Sequence, residues 1–268
     1  MEVEDDPWFN QRYQPSIEPL LTRRNSALRS DIYKWWQSLQ KDSRASNYNT
    51  VVKKLFKVFP DNKQYTDAGP ERCRTCAVVG NSGNLLGSHY GALIDFNDFV
   101  IRMNRGPTKG FEKDVGSKTT HRIIYPESVV DVDNSTHLVL LPFKTLDLEW
   151  LISAFTTKNI TRTYVSVKSS VNANKDMVMV IHPAFIKYVY DNWLWKRGVY
   201  PSTGFVALVF ALHICDEVKV YGFGADNVGS WHHYYEKSRR RYRPGKHSGD
   251  AEHEEILQLN IRGKIKLF

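Results

Sequence analysis

Histidine is the side chain whose charge changes nearest neutral pH, so its clusters are the first place to look for proton transfer. Of nine histidines, two fall in Trp231-His232-His233-Tyr234-Tyr235-Glu236, and His247 follows, five residues ahead of Glu252. The stretch lies just past Tyr221-Gly222-Phe223-Gly224-Ala225-Asp226, the glycine-rich end of an expected strand. Ligands of open α/β sheets bind beyond the carboxyl ends of strands, so an imidazole here can take a proton from a bound hydroxyl. Two more segments suit an anion. Val79-Gly80-Asn81-Ser82-Gly83-Asn84 runs from a strand toward an expected helix, with glycines that let N–H groups approach a phosphate. It lacks both G-x-G-x-x-G and the P-loop lysine, so alone it reads equally well as an ordinary strand-to-helix turn. Tyr200-Pro201-Ser202-Thr203-Gly204 precedes the apolar run Phe205 to Leu212 and reads as a helix cap or as a second anion cradle.

Metal chemistry is the competing reading. Asp131-Val132-Asp133 offers two hard carboxylates suited to Mg²⁺ or Mn²⁺, but it adjoins the sequon Asn134-Ser135-Thr136 in a polar stretch that reads as an exposed loop. His232, His233, His247 and Glu236 could hold zinc, but no H-E-x-x-H spacing accompanies them. Cys73-x-x-Cys76 is half a structural zinc site without a second half, since Cys215 stands alone far downstream. These metal readings stand as the minority ones.

Holding such residues in place takes a folded core. The chain has 268 residues, 41% hydrophobic and 13% aromatic, which excludes disorder, collagen-like repeats and a disulfide-stapled miniprotein. Buried-looking runs at Cys76–Val79, Phe99–Met103, His121–Ile124, His137–Leu141, Thr163–Val167, Met177–Ile181 and Val218–Tyr221 read as strands, several without polar alternation. They alternate with helical patterns starting at Asn84 and over Asp147–Phe155, Pro183–Trp195, Ser202–Ile214 and Ala251–Leu259. That order predicts a mostly parallel central sheet flanked by helices, an α/β fold in one structural domain. Residues 1–60 read as a helical segment packing on the core of 61–268, with Ile32, Trp35, Trp36 and Leu39 on one face and Val51, Val52, Leu55 and Val58 on another. The helices are expected to cover a sheet edge. The formal charge of +8 favours anionic partners without choosing among them. Lys237–Lys246, with six basic residues, reads as a solvated surface loop. A nucleic-acid role for it ranks last, because no stacking motif accompanies the charges. The longest apolar stretch is too short to cross a bilayer, and four acids among the first six residues do not make a signal peptide.

Together these stretches resemble the eukaryotic sialyltransferases, whose hallmark is four short motifs. Cys76 to Asn84, Arg102-Met103-Asn104 and Val115 to Ser128 look like the long motif, and Tyr200 to Gly204, His213 to Glu217 and Tyr221 to Asp226 like the short one. His232 to Glu236 matches the third motif and His247-x-x-x-x-Glu252 the very short last one, in the family's order. Pro183 to Tyr188 and Leu212 to Glu217 bring the chain closest to the β-galactoside α-2,3-sialyltransferases that act on Galβ1,3GalNAc.

The resemblance implies a Rossmann-like variant of the GT-A nucleotide-sugar transferase fold, CMP-sialic acid as donor, no cofactor or metal, and a galactose-terminated O-glycan or glycolipid as acceptor. It implies that His247 is the general base and that His233 stabilises the departing phosphate. Asn81, Ser82, Asn104, Ser202, Thr203 and Gly204 would bind the donor, and Gln40, Tyr164, Tyr200 and Trp231 the acceptor. Glu252 would orient a loop or helix rather than react. It also implies a Cys76–Cys215 disulfide, leaving Cys73 for a cysteine in a stem outside this sequence. The expected setting is the Golgi lumen, as the catalytic portion of a single-pass type II membrane protein whose anchor is absent here; a second sequon at Asn159 agrees with it. Departures from the subgroup are the shortened basic stretch before His247, with Arg239, Arg240, Arg241 and Arg243, and His253, Glu254 and Glu255 after Glu252. They leave open a non-catalytic nucleotide- or glycan-binding module on the same fold.

Overall fold

The computed structural model describes residues 6–61, 65, 69, 71–226, 229–236 and 247–268. The basic loop Lys237–Lys246 lies outside the described residues. Seven strands, β1 (Thr75–Val79), β2 (Phe99–Met103), β3 (His121–Ile124), β4 (His137–Leu140), β5 (Val178–Val180), β6 (Glu217–Tyr221) and β7 (Lys266–Leu267), form one sheet in the order β5-β4-β3-β2-β1-β6-β7. Every pairing between neighbours is parallel. Several strands, β1, β4 and β5 among them, lack polar alternation because both faces are covered. In β1, Cys76 and Val78 enter the main apolar cluster, while Ala77 and Val79 enter a second cluster across the sheet.

The helices are α1 (Pro7–Arg12), α2 (Ser30–Ser38), α3 (Tyr48–Val58), α4 (Gly91–Asp95), α5 (Glu112–Val115), α6 (Thr145–Phe155), α7 (Pro183–Tyr188), α8 (Thr203–Ile214) and α9 (Gly249–Ile261). α8 packs against β1, β2, β3 and β6, and is apolar on nearly all sides because it is enclosed on nearly all sides. The N-terminal segment guards the β5 edge: Leu20 bridges antiparallel to Ile181, and Leu21 N–H donates to the Val180 carbonyl at 2.8 Å. An edge capped in this way offers no template for another chain. α3 packs on α6 and α2 on α7, so residues on both sides of position 60 share one cluster.

Three elements differ from the sequence expectation. Thr163–Val167 is not a strand but a tight loop, closed by an antiparallel bridge between Arg162 and Ser166 and pinned by Thr163 donating to Glu127. Its β-branched and aromatic residues imitate a strand, yet Tyr164 and Val165 stand exposed. No α-helix begins at Asn84: a single 3-10 turn, Gly83–Leu85, intervenes and α4 starts only at Gly91. Pro183–Trp195 is not one helix, since α7 passes into a π-helical turn at Val189–Trp193. β7 is the strand that sequence did not reveal, because two residues carry no period; Phe268 beyond it stacks on Tyr221 at 4.5 Å.

Among the described residues no helix is long and apolar enough to cross a membrane. The Cys76–Cys215 disulfide is present, tying β1 to the residue that ends α8, and Cys73 is a free, exposed thiol. A cross-link across 139 residues removes much freedom from the unfolded chain. Cys215→Ala is expected to lower unfolding stability by about 2–5 kcal/mol in urea titrations. Reductant should lower the parent toward the variant and leave the variant unchanged.

Candidate active site

The chain runs outward from β1 through β2, β3 and β4 to β5, then returns to place β6 on the other side of β1. The carboxyl ends of β1 and β6 therefore flank the topological switch point, where a crevice opens. Each strand is followed at once by a glycine, Gly80 and Gly222. Gly80 N–H donates to the Tyr221 carbonyl at 2.7 Å, Ser82 N–H donates to the Gly222 carbonyl at 3.0 Å, and a Cβ on Gly80 would overlap the Gly222 carbonyl. Gly222 also holds φ +71°, a conformation that favours glycine.

This floor fixes the donor-side residues named from the sequence. Ser82 Oγ donates to the Gly224 carbonyl at 2.7 Å, and Asn81 Nδ2 to the Met103 carbonyl at 3.2 Å, so both side chains knit neighbouring turns together. Asn104 sits at φ +54° and its Oδ1 accepts from Ser128 Oγ at 2.8 Å. Only a 3-10 turn follows Ser82, so no helix N-terminus faces an anion there. The other cradle does have one. Ser202 caps α8, accepting from Phe205 N–H at 3.1 Å, and Thr203 and Gly204 open a twelve-residue helix toward the cleft.

The two histidines reach the cleft by different supports. Gly83 N–H donates to the His232 carbonyl at 2.8 Å, and a Cβ on Gly83 would overlap the His232 ring. That packing delivers the next residue, His233, which bridges antiparallel to Ser82. His233 Nδ1 meets Glu236 Oε1 at 2.9 Å and its ring stacks on Tyr235 at 5.2 Å. His247 lies 3.1 Å through Nδ1 from the Tyr200 carbonyl, with the two rings edge to face at 4.9 Å. A carbonyl only accepts, so Nδ1 carries the proton and the lone pair of the neutral ring sits on Nε2.

Just beyond His247, α9 is anchored by Glu252. Its carboxylate accepts from Ser202 N–H at 2.7 Å and from Ser202 Oγ at 2.5 Å. Burial pushes this carboxyl up to about 7. The residues that the resemblance assigns to the acceptor line the same cleft: Gln40 comes from the loop after α2, Tyr164 from the tight loop, Tyr200 from ahead of α8, and Trp231, half-exposed, from the stretch before His233. Behind Gln40 lies the fully buried Lys144–Asp147 ion pair, at 2.7 Å.

One cleft of about 520 Å³ gathers all twelve residues singled out as catalytic, donor-binding or acceptor-binding. It is also lined by Met103, Tyr125, Phe143 and Phe223, to which sequence reasoning gave no site role. Their largely apolar side chains look like ordinary core. The D-x-D pair lies elsewhere: Asp131 accepts from Asn172 N–H, and Asp133 accepts from Ser135 and Thr136 within its own loop. Among the described residues no group of three or more His, Cys, Asp or Glu is arranged to hold a metal.

A nucleotide-sized crevice at the switch point of an open parallel sheet places this chain among the Rossmann-type α/β proteins. Within that class, glycosyltransferase family 29 (sialyltransferase) matches residues 20–264, and the chain belongs to that family. It is 50% identical over 265 residues to the CMP-N-acetylneuraminate-beta-galactosamide-alpha-2,3-sialyltransferase 1 of Sus scrofa, covering 97% of this chain and 77% of that one. A crystal structure of a mammalian sialyltransferase superposes with a TM-score of 0.94 at 49% identity, over 100% of this chain and 95% of that one. A second, in complex with Gal-beta-1-3GalNAc-ortho-nitrophenol, gives the same TM-score and identity over 100% and 96%.

The Glu252 carboxyl sets a pH dependence. Between its ordinary value of 4.5 and about 7, the folded chain keeps a proton that the unfolded chain has released. Its contribution to stability therefore falls as pH rises through that window. Glu252→Gln mimics the protonated acid and does not titrate. Thermal melts of both proteins should show the difference in Tm moving in favour of Glu252→Gln by several degrees between pH 5 and 7.5; a constant difference would place the carboxyl's titration elsewhere.

Proposed function

We propose that this chain is an inverting, metal-independent α-2,3-sialyltransferase that moves sialic acid from CMP-sialic acid to the 3-hydroxyl of a terminal β-galactose, with Galβ1,3GalNAc as the acceptor core. The observation that carries the reading is His247 in one cleft with the Asn81 and Ser202 turns, its Nδ1–H held by the Tyr200 carbonyl. The acceptor reading is supported by the name of the porcine relative and by the ligand of the second solved structure.

In this reaction His247 Nε2 takes the proton of the galactose 3-hydroxyl as that oxygen attacks the anomeric carbon of sialic acid. The bond from that carbon to the phosphate oxygen breaks, its electron pair leaves with CMP, and the configuration inverts. Base and leaving group must face opposite sides of an oxocarbenium-like centre, as the paired carboxylates of inverting glycosidases do. The N-terminus of α8, capped by Ser202 and opened by Thr203 and Gly204, offers the N–H groups of Thr203 and Gly204 and a positive helix end to the phosphate. Asn81, Ser82 and Asn104 shape the nucleoside side, and His233, oriented by Glu236, stabilises the departing phosphate. A leaving monophosphate carries less charge than a diphosphate, so these groups suffice without a cation. Gln40, Tyr164, Tyr200 and Trp231 hold the galactoside. Glu252 fixes α9 to the α8 cap and through it the approach of His247. The setting we assign is the Golgi lumen, with membrane attachment through a segment outside this sequence.

The test is incubation with CMP-sialic acid and Galβ1,3GalNAc, Galβ1,4GlcNAc or GalNAc acceptors, with and without EDTA, with linkage read by mass spectrometry. An α-2,3-linked product unaffected by EDTA is expected. Loss of product on chelation would return Asp131 and Asp133 to consideration. His247→Ala should lower kcat by about 10²–10⁴ while CMP affinity stays within a few-fold. CMP binding by the parent without product from any galactoside would favour a non-catalytic binding module.

A further inference from the structure

Two charges with no exposed surface lie behind the acceptor wall. Lys144 Nζ and Asp147 Oδ1 are 2.7 Å apart, both side chains fully buried, and Asp147 Oδ2 accepts from Phe143 N–H at 2.8 Å. Taking two ions out of water is expensive, and apolar side chains of similar volume often serve stability as well, so packing alone does not account for the pair. Its reach into the cleft does. Lys144 Nζ also donates to Gln40 Oε1 at 2.7 Å and lies 5.4 Å from the Tyr164 ring centroid. An ammonium can only donate, so the Gln40 amide must turn its oxygen inward to meet it. The amide nitrogen is then the end that remains for the cleft, which Gln40 and Tyr200 line together. The backbone around Gln40 is held as firmly. Trp36 Nε1 donates to the Pro142 carbonyl at 2.8 Å, Gln37 Nε2 to Thr145 Oγ1 at 2.6 Å, and Leu146 N–H to Asp42 Oδ2 at 3.1 Å.

We propose that Lys144, held by Asp147, is a positioning residue for the acceptor sugar: it fixes the Gln40 amide so that this wall of the cleft donates an N–H to a sugar hydroxyl oxygen. This rests on the transferase reading above and goes beyond it. Gln40 touches the sugar; Lys144 acts only through Gln40 and the neighbouring ring of Tyr164. An acceptor is then recognised by the oxygen it offers at this point.

Two variants test it. Lys144→Met combined with Asp147→Leu removes both charges at nearly constant volume. Gln40→Glu keeps a partner for the ammonium but replaces the amide nitrogen with oxygen. Steady-state kinetics are measured with CMP-sialic acid and a Galβ1,3GalNAc acceptor, each varied in turn. In both variants the acceptor KM should rise about tenfold, the scale of one lost hydrogen bond, with the donor KM within twofold of the parent. An acceptor KM within twofold of the parent in either variant overturns the proposal. So does an equal rise in both KM values, which marks general loosening. Should the double variant fail to fold, Gln40→Glu decides alone. A parent that makes no product from any galactoside fails the transferase reading itself, before any variant is compared, and this proposal with it.

Discussion

The contact between the Gly80 and Gly222 backbones is the constraint on which the site depends. β1 and β6 are neighbours in space but separated in sequence by most of the sheet, and their carboxyl ends meet where any side chain on Gly80 would strike a carbonyl. Beyond that point the two turns stay bonded to each other and together line the crevice. Asn81 and Ser82 spend their side chains on bonds to Met103 and Gly224, which holds the floor rigid. A floor already set before ligand arrives leaves less ordering to be done at the moment of binding.

Around this floor, buried charge does the positioning that apolar packing cannot, because it fixes orientation as well as distance. α9 carries His247 at its threshold and is tied down at two points on one face. Glu252 grips the Ser202 cap, and Glu255 pairs with Arg12 of α1 at 2.8 Å, both groups buried. Arg197 adds contacts to Glu254 and Glu255. Glu254 and Glu255 stood out in the sequence as departures from the subgroup. In the structure they are partners of arginines, so the departure is local electrostatics tying α1 and the Arg197 loop to the helix that follows His247.

Most of the sheet was legible because both of its faces are buried: runs such as Val100-Ile101 and Ile123-Ile124 carry an unbroken apolar signal. The cleft was legible through motif resemblance rather than periodicity. Gln40 and Tyr164 look like ordinary residues in their local sequence and acquire meaning only when three distant loops converge. The Thr163–Val167 loop misled because its composition suits a strand, while its geometry is decided by Glu127, far away in sequence. β7 was invisible because two residues at the chain's end gain their pairing from β6 and from Phe268 stacking on Tyr221. Lys144 and Asp147 did leave a trace, two charges three residues apart inside an apolar run, but nothing in the sequence said which way they faced.

The long span of the Cys76–Cys215 bridge governs how the molecule is made. Its second sulfur leaves the ribosome only after most of the chain has emerged, and β6, which follows at once, is the strand that completes pairing on the far side of β1. The link therefore closes late, on a scaffold whose first five strands are already available. Until then Cys76 is an uncommitted thiol in a nascent chain that also carries Cys73, so correct pairing requires that those two sulfurs not find one another first.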